Sequence, residues 1–258
     1  VANNDTIKKT ITVTVLLCLV CSIVVSAAAV LLRPAQEKNR QLDFKSNILA
    51  AANLLDGERS VEEIFNERVK TKVVDLQTGQ FTDEVDPESY DQWRAAKDPS
   101  LSKNLSNKED IAGIGRRERY AEVYLVENPQ GELETLVIPV RGYGLWSTLY
   151  GFLALEDDAN TVVGLGFYDH AETPGLGGEV DNPNWKALWE GKKIYEDGEV
   201  AISVVKGSVD ASDPNAEHKV DGLSGASLTT RGVHNLMQFW LGDMGFKPFL
   251  NNLRKGEA

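Results

Sequence analysis

"AEVYLVENPQGELETLVIPVRGYGLWSTLYGFLALE", residues 121–156, decides how the fold is read. Its β-branched and aromatic runs, "AEVYLVE", "ETLVIPVRG" and "STLYGFLALE", alternate with turn residues, the pattern of strands linked by short returns. "NPQGE" makes the first hairpin turn, and "EDDAN" at 156–160 makes another ahead of "TVVGLGFYDH". Short returns imply antiparallel pairing. Farther on, "EVAISVVKG" at 199–207 reads as one more strand, while "NPNWKALWEG" at 182–191 and "VHNLMQFWLG" at 233–242 carry helical spacing. The expected class is therefore α+β, a mainly antiparallel sheet with flanking helices, in a soluble domain over residues 101–258.

Upstream, "TKVVDL" is strand-like and the polar stretch from Thr78 to Arg119 reads as loop with short helix, a seam before the sheet domain. "KNRQLDFKSNILAAANLL" and "SVEEIFNERV" read as two helices, the second opened by a Ser-x-x-Glu pattern at Ser60 and Glu63. Together they form an expected membrane-proximal region over residues 33–100. Residues 11–32, "ITVTVLLCLVCSIVVSAAAVLL", carry no charge and as a helix cover a hydrocarbon core of about 30 Å. A transmembrane anchor after a short tail, residues 1–10, is expected over a cleaved leader, because the apolar run exceeds a usual leader's. Lys8 and Lys9 before the span are matched by Arg33, Lys38 and Arg40 after it, so flanking charge leaves the side of the membrane open.

The 258 residues are 42% apolar and 26% charged, the composition of a folded chain. A net charge of -12 opposes any non-specific nucleic-acid surface, so no nucleic-acid partner is expected. Cys18 and Cys21 both lie in the apolar run, which excludes a disulfide framework or cysteine metal site downstream. His170, His218 and His234 are scattered and lack partners at ligand spacing, so no metal is expected.

"VDGLSGASLTTRGVHNLMQFW", residues 220–240, crowds four hydroxyls before a helix expected to start near Thr230. Ser227 then stands just ahead of a helix N-terminus, where free N–H groups and the helix dipole favour a phosphate, or where a hydroxyl simply caps the helix. Gly222, Gly225 and Ala226 permit close backbone approach. "HAETPGLGGEV", residues 170–180, reads equally as a ligand-cradling loop or a surface turn, and "GYGLWS" at 142–147 adds Leu145 and Trp146. Lys206 and Arg231 are the basic groups near these stretches. No G-x-G-x-x-G follows a strand, so no dinucleotide site is expected on this chain.

A single N-terminal span, "ETPGLGGEV", "GLWS" and "DGLSGASLT" before a terminal helix closing in "FWLGDMGFKPFL" together resemble the C-subunit family of sodium-translocating NADH:quinone oxidoreductases. The likeness runs nearly end to end, and the G subunit of the Rnf electron-transport complex is a close cousin. The resemblance implies FMN joined by a phosphoester to the last hydroxyl of an S/T-G-A-T motif, here Ser227, where the family usually has threonine. Thr229 and Thr230 are runner-up acceptors. Ser224, Gly225, Ala226, Leu228 and Thr229 are expected to shape the phosphate seat, with Asp221 and Gly222 part of the same motif. Leu145, Trp146, Glu172, Thr173, Leu176, Gly177 and Lys206 are the expected flavin contacts. The resemblance further implies an electron-carrier subunit in a sodium-exporting complex of the bacterial inner membrane, matured by a flavin transferase, with its domain in the periplasm. An Rnf-type subunit and a membrane-tethered binding module without redox chemistry are the alternatives.

Overall fold

The computed structural model describes residues 6–210 and 212–258; half of the expected N-terminal tail, residues 1–5, lies outside the described residues. The chain divides into two compact units, Val1–Phe44 and Lys45–Ala258. Helix α1 runs Ile7–Ala51, so the expected span and the amphipathic segment after it form one helix, continuing through Pro34. Its apolar stretch is exposed throughout, as a lipid-facing helix requires, and 22 residues extend about 33 Å. In the globular unit, Ile48, Leu49, Ala51 and Ala52 at its end are buried.

Helix α2, Val61–Arg68, begins at the expected capping box: the Glu63 N–H donates to Ser60 Oγ and the Ser60 N–H to Glu63 Oε2. The chain then passes directly into β1, Val69–Asp75, and β2, Gln80–Phe81. A short helix α3, Gln92–Ala95, and the antiparallel pair β3, Ser102–Asn104, and β4, Arg116–Glu118, follow. Strands β5, Tyr120–Glu127, β6, Leu133–Tyr143, β7, Thr148–Glu156, and β8, Val162–Asp169, occupy the runs read from sequence. They form one antiparallel sheet in the order β2-β1-β5-β6-β7-β8. The boundary expected at residue 101, within the seam read over Thr78–Arg119, does not bound the sheet. Val69–Asp75 pairs along its whole length with β5, so residues upstream of 101 belong to the same sheet.

The remaining elements are short. Helix α4, Pro183–Lys186, leads to a 3-10 turn at Ala187–Trp189; β9, Tyr195–Glu196, pairs with β10, Glu199–Val200. The single strand expected at 199–207 is divided, because Ala201 and Ile202 both donate N–H groups to the Ile194 carbonyl and turn the chain. Beyond that turn β11, Ser203–Val204, pairs in parallel with β12, Lys219–Val220. Helix α5, Ser227–Trp240, and helix α6, Lys247–Lys255, close the chain.

β6 is buried along most of its length, and α5 packs on it with Val233, Leu236, Met237 and Trp240 inside. Trp240 Nε1 donates to the Arg141 carbonyl at 2.7 Å, and a Cβ on Gly142 would come within 2.5 Å of Leu236 Cβ. Helix and strand are therefore in close contact where β6 ends, which sets the start of α5 beside the β6–β7 turn. Losing an anchor of this size costs about 3–5 kcal/mol.

On β5, burial pushes the Glu122 carboxyl up to about 7, with Asp91 adding to the rise and the Tyr124 hydroxyl, 2.7 Å away, opposing it. A raised folded pKa favours folding below the unfolded value, and that contribution disappears as pH climbs through 7. Glu122→Gln keeps an acceptor for Tyr124 and is expected to stabilise the protein by up to about 3 kcal/mol above neutral pH. Urea unfolding should show little gain near ~pH 4.5 and the full gain near ~pH 8.

Candidate functional site

The site forms where three segments converge: the β6–β7 turn, the loop after β8, and the first turn of α5. At its centre stands Glu172, 5% exposed. One carboxylate oxygen accepts the N–H groups of Leu145 (3.0 Å), Trp146 (2.9 Å) and Ser147 (3.2 Å). The other accepts the Thr229 hydroxyl at 2.7 Å. Burial alone would raise the Glu172 pKa, but the Thr229 hydroxyl and the three amides together hold it below the usual carboxylate range. One anion thus joins the turn, the loop and the helix.

Two glycines make room for it. A Cβ on Gly144 would lie 2.6 Å from a Glu172 oxygen; on Gly177 it would lie 2.5 Å from Thr229 Oγ1 and 2.6 Å from Glu172. Gly144 and Ser147 are positioning residues that the sequence does not single out, although both lie in "GYGLWS". Ser147 Oγ accepts the Ala171 N–H at 2.7 Å, a second tie between turn and loop.

The helix start is corrected to Ser227, close to a full turn earlier than the expected Thr230. No side chain caps it, and the Thr230 N–H is the first to find a carbonyl, that of Ala226, at 2.9 Å. Among the described residues the N–H groups of Ser227, Leu228 and Thr229 therefore have no protein acceptor, so the end is open to an anion. Of the three hydroxyls in the first turn of α5, only that of Ser227 is exposed. Thr229 is fully buried and bonded to Glu172, and Thr230, 7% exposed, accepts the Leu223 N–H at 3.0 Å.

Ser227 borders a cavity of about 620 Å³ together with Lys206, Gly222, Ser224 and Gly225. Arg231 and His234, on the same helix, also line it, and His234 Nδ1 accepts the Val204 N–H at 3.4 Å. Burial lowers the His234 pKa, which favours the neutral ring. Lys206 and Arg231 are both exposed. Asp221 braces the loop instead of lining the cavity. Its carboxylate accepts the Val209 N–H and its carbonyl accepts the Trp185 indole N–H.

Several other expected contacts present apolar surface. Leu145 is 37% exposed, Trp146 65%, Leu176 45% and Leu228 50%, and Tyr143 beside them is 49% exposed. Outside the span, most of the large exposed apolar side chains among the described residues are here, giving the rim an apolar surface. Leu176 approaches the backbone at Gly225, linking the loop to the hydroxyl turn. Thr173 is exposed, and its carbonyl closes the Pro174-Gly175 turn by accepting the Leu176 N–H at 3.1 Å. Glu172 and Gly177, expected as flavin contacts, and Ala226 and the Thr229 side chain, expected to shape the phosphate seat, are buried in the scaffold.

Residues 144–242, spanning all three converging segments, match the family model described as FMN-binding domain. Over 262 aligned positions the chain is 57% identical to the C subunit of the Na(+)-translocating NADH-quinone reductase of Pseudomonas aeruginosa, covering 100% of both. The Vibrio alginolyticus protein of the same name is 49% identical, with 99% of this chain and 98% of the relative aligned. In three dimensions the crystal structure of Shewanella oneidensis NqrC matches with a TM-score of 0.76 at 38% identity, over 83% of this chain and 97% of the other. The chain belongs to the family of C subunits of Na(+)-translocating NADH-quinone reductases.

Proposed function

We propose that this subunit carries FMN on a phosphoester to Ser227 and relays single electrons between redox centres of the sodium-pumping NADH:quinone reductase. The observation that carries the reading is the state of the α5 start: an exposed hydroxyl, three N–H groups without acceptors and a cavity bordered by Lys206 and Arg231. These fit a phosphate ester, whose oxygens are acceptors and whose charge the helix dipole favours. Ser227 Oγ supplies the bond, Ser224 and Gly225 line the seat, and Lys206 and Arg231 supply compensating positive charge. The exposed Leu145, Trp146, Leu176 and Leu228 offer the apolar surface on which an isoalloxazine ring would lie.

FMN, when bound, supplies the one-electron chemistry. The protein's own part is to hold the ring fixed and partly dry, tune it, and prevent its loss by diffusion. Glu172 does this indirectly by locking the turn to the helix. Attachment is assigned to a separate flavin transferase with FAD as donor: Ser227 Oγ bonds to the FMN phosphorus, the pyrophosphate bond breaks, and AMP leaves. The anchor is read as an inner-membrane helix in contact with lipid, with the globular unit in the periplasm beside the other subunits.

Trypsin should release residues 220–231 as one peptide, since Lys219 precedes it and Arg231 ends it. Fragmentation of that peptide from protein coexpressed with the transferase is expected to place the FMN mass on Ser227. A flavin located on Thr229 or Thr230, or none at all, would refute the assignment.

A further inference from the structure

Beside the β1–β2 turn, the globular unit holds a second cavity, of about 530 Å³. Leu76, Leu101, Met244 and Pro248 give it apolar walls, and Arg117 of β4 lines it. Arg117 is 8% exposed, yet no carboxylate among the described residues lies within 4.0 Å of it. Its Nη1 donates to the Met244 carbonyl at 2.7 Å, and its buried Nε has no acceptor.

The neighbouring cations are already matched. Arg119 donates twice to Asp75, at 3.1 and 2.9 Å, and Lys103 meets Glu109 at 2.8 Å. A guanidinium remains protonated under ordinary conditions, and a buried charge without a partner costs several kcal/mol. Burial lowers the Arg117 pKa, with Glu118, Asp75 and Glu109 opposing the shift from a distance. The arginine is thus a half-built site, held in place by one carbonyl and left with donor capacity to spare.

From the unpaired guanidinium beside apolar walls, we propose that this cavity binds a monocarboxylate. The carboxylate oxygens accept from Arg117, and a short apolar body lies against Leu76, Leu101 and Met244. A single free guanidinium matches one negative charge. The carboxylate belongs either to a free small acid or to a residue of a neighbouring subunit, and the chemistry of the seat is the same in both cases.

Thermal unfolding and calorimetry of the full-length protein with sodium butyrate, against butyramide as the neutral isostere, test this. Butyrate is expected to raise the melting temperature saturably, and butyramide to leave it unchanged. Arg117→Met should abolish the response, and Arg117→Lys, which keeps charge but loses the planar fork, should weaken binding at least about tenfold. Were the Met variant not to fold, the Lys variant and the amide control still decide. Binding by both the isolated chain and the assembled complex identifies a free acid; binding by the isolated chain alone identifies a neighbouring subunit's carboxylate filling the seat. No saturable response from the isolated chain, or one that Arg117→Lys leaves unaltered, overturns the proposal.

Discussion

Ser227→Ala is expected to reduce covalent flavin to background while leaving the fold intact. The side chain is exposed and makes no capping bond, so its loss should change stability by no more than about 0.5 kcal/mol. Neither threonine of the same turn can replace it. Thr229 Oγ1 is buried and donates to Glu172, and freeing it would leave that carboxylate short of a donor. Thr230 Oγ1 is engaged by the Leu223 N–H farther into the scaffold. Flavin fluorescence that survives denaturing electrophoresis, read alongside intact mass, measures the outcome. Ser227→Thr should keep the adduct, because it restores a hydroxyl at the same exposed position. An alanine variant that still carries covalent flavin would move the attachment elsewhere and remove the reason for reading the open helix end as a phosphate seat.

The strands of the sheet are legible in the sequence because Tyr120–Glu127, Leu133–Tyr143, Thr148–Glu156 and Val162–Asp169 carry β-branched and aromatic residues between strong turn signals. Strand order is less so. Val69–Asp75 sits between β2 and β5, and no local pattern announces a partner some fifty residues away along the chain. The start of α5 is misplaced by any reading that looks for a side-chain cap, and this helix has none: Ala226 precedes Ser227, and the missing cap is the opening itself. The candidate hydroxyl is visible in "SGAS", but what distinguishes Ser227 from Thr229 and Thr230 is burial, which follows only once α5 lies on β6. Glu172 stands out as a contact residue, whereas its role depends on meeting Thr229 57 positions later, a long-range event that spacing cannot encode.

That meeting makes Glu172 the second large effect. Glu172→Ala removes the acceptor of three N–H groups and one hydroxyl together, at a position that is 5% exposed. Unsatisfied buried donors cost roughly 1–3 kcal/mol each, and partial relaxation of the turn brings the expected total to about 3–5 kcal/mol. Glu172→Gln retains one carbonyl oxygen for the amides and loses the charge, so a milder cost of about 1–2 kcal/mol is expected. Because the folded protein holds this carboxyl below its unfolded value, its contribution is present above the ordinary glutamate range and fades as pH falls through the folded pKa. Denaturant unfolding should therefore show wild type ahead of the Gln variant at neutral pH, with the gap closing in acid. Flavin attachment gives the second readout: with Ser227 untouched, the Ala variant should accept less flavin, because the turn carrying Leu145 and Trp146 is no longer tied to α5. A gap that persists unchanged in acid would mean that Glu172 stabilises by its shape, and that its charge holds nothing together.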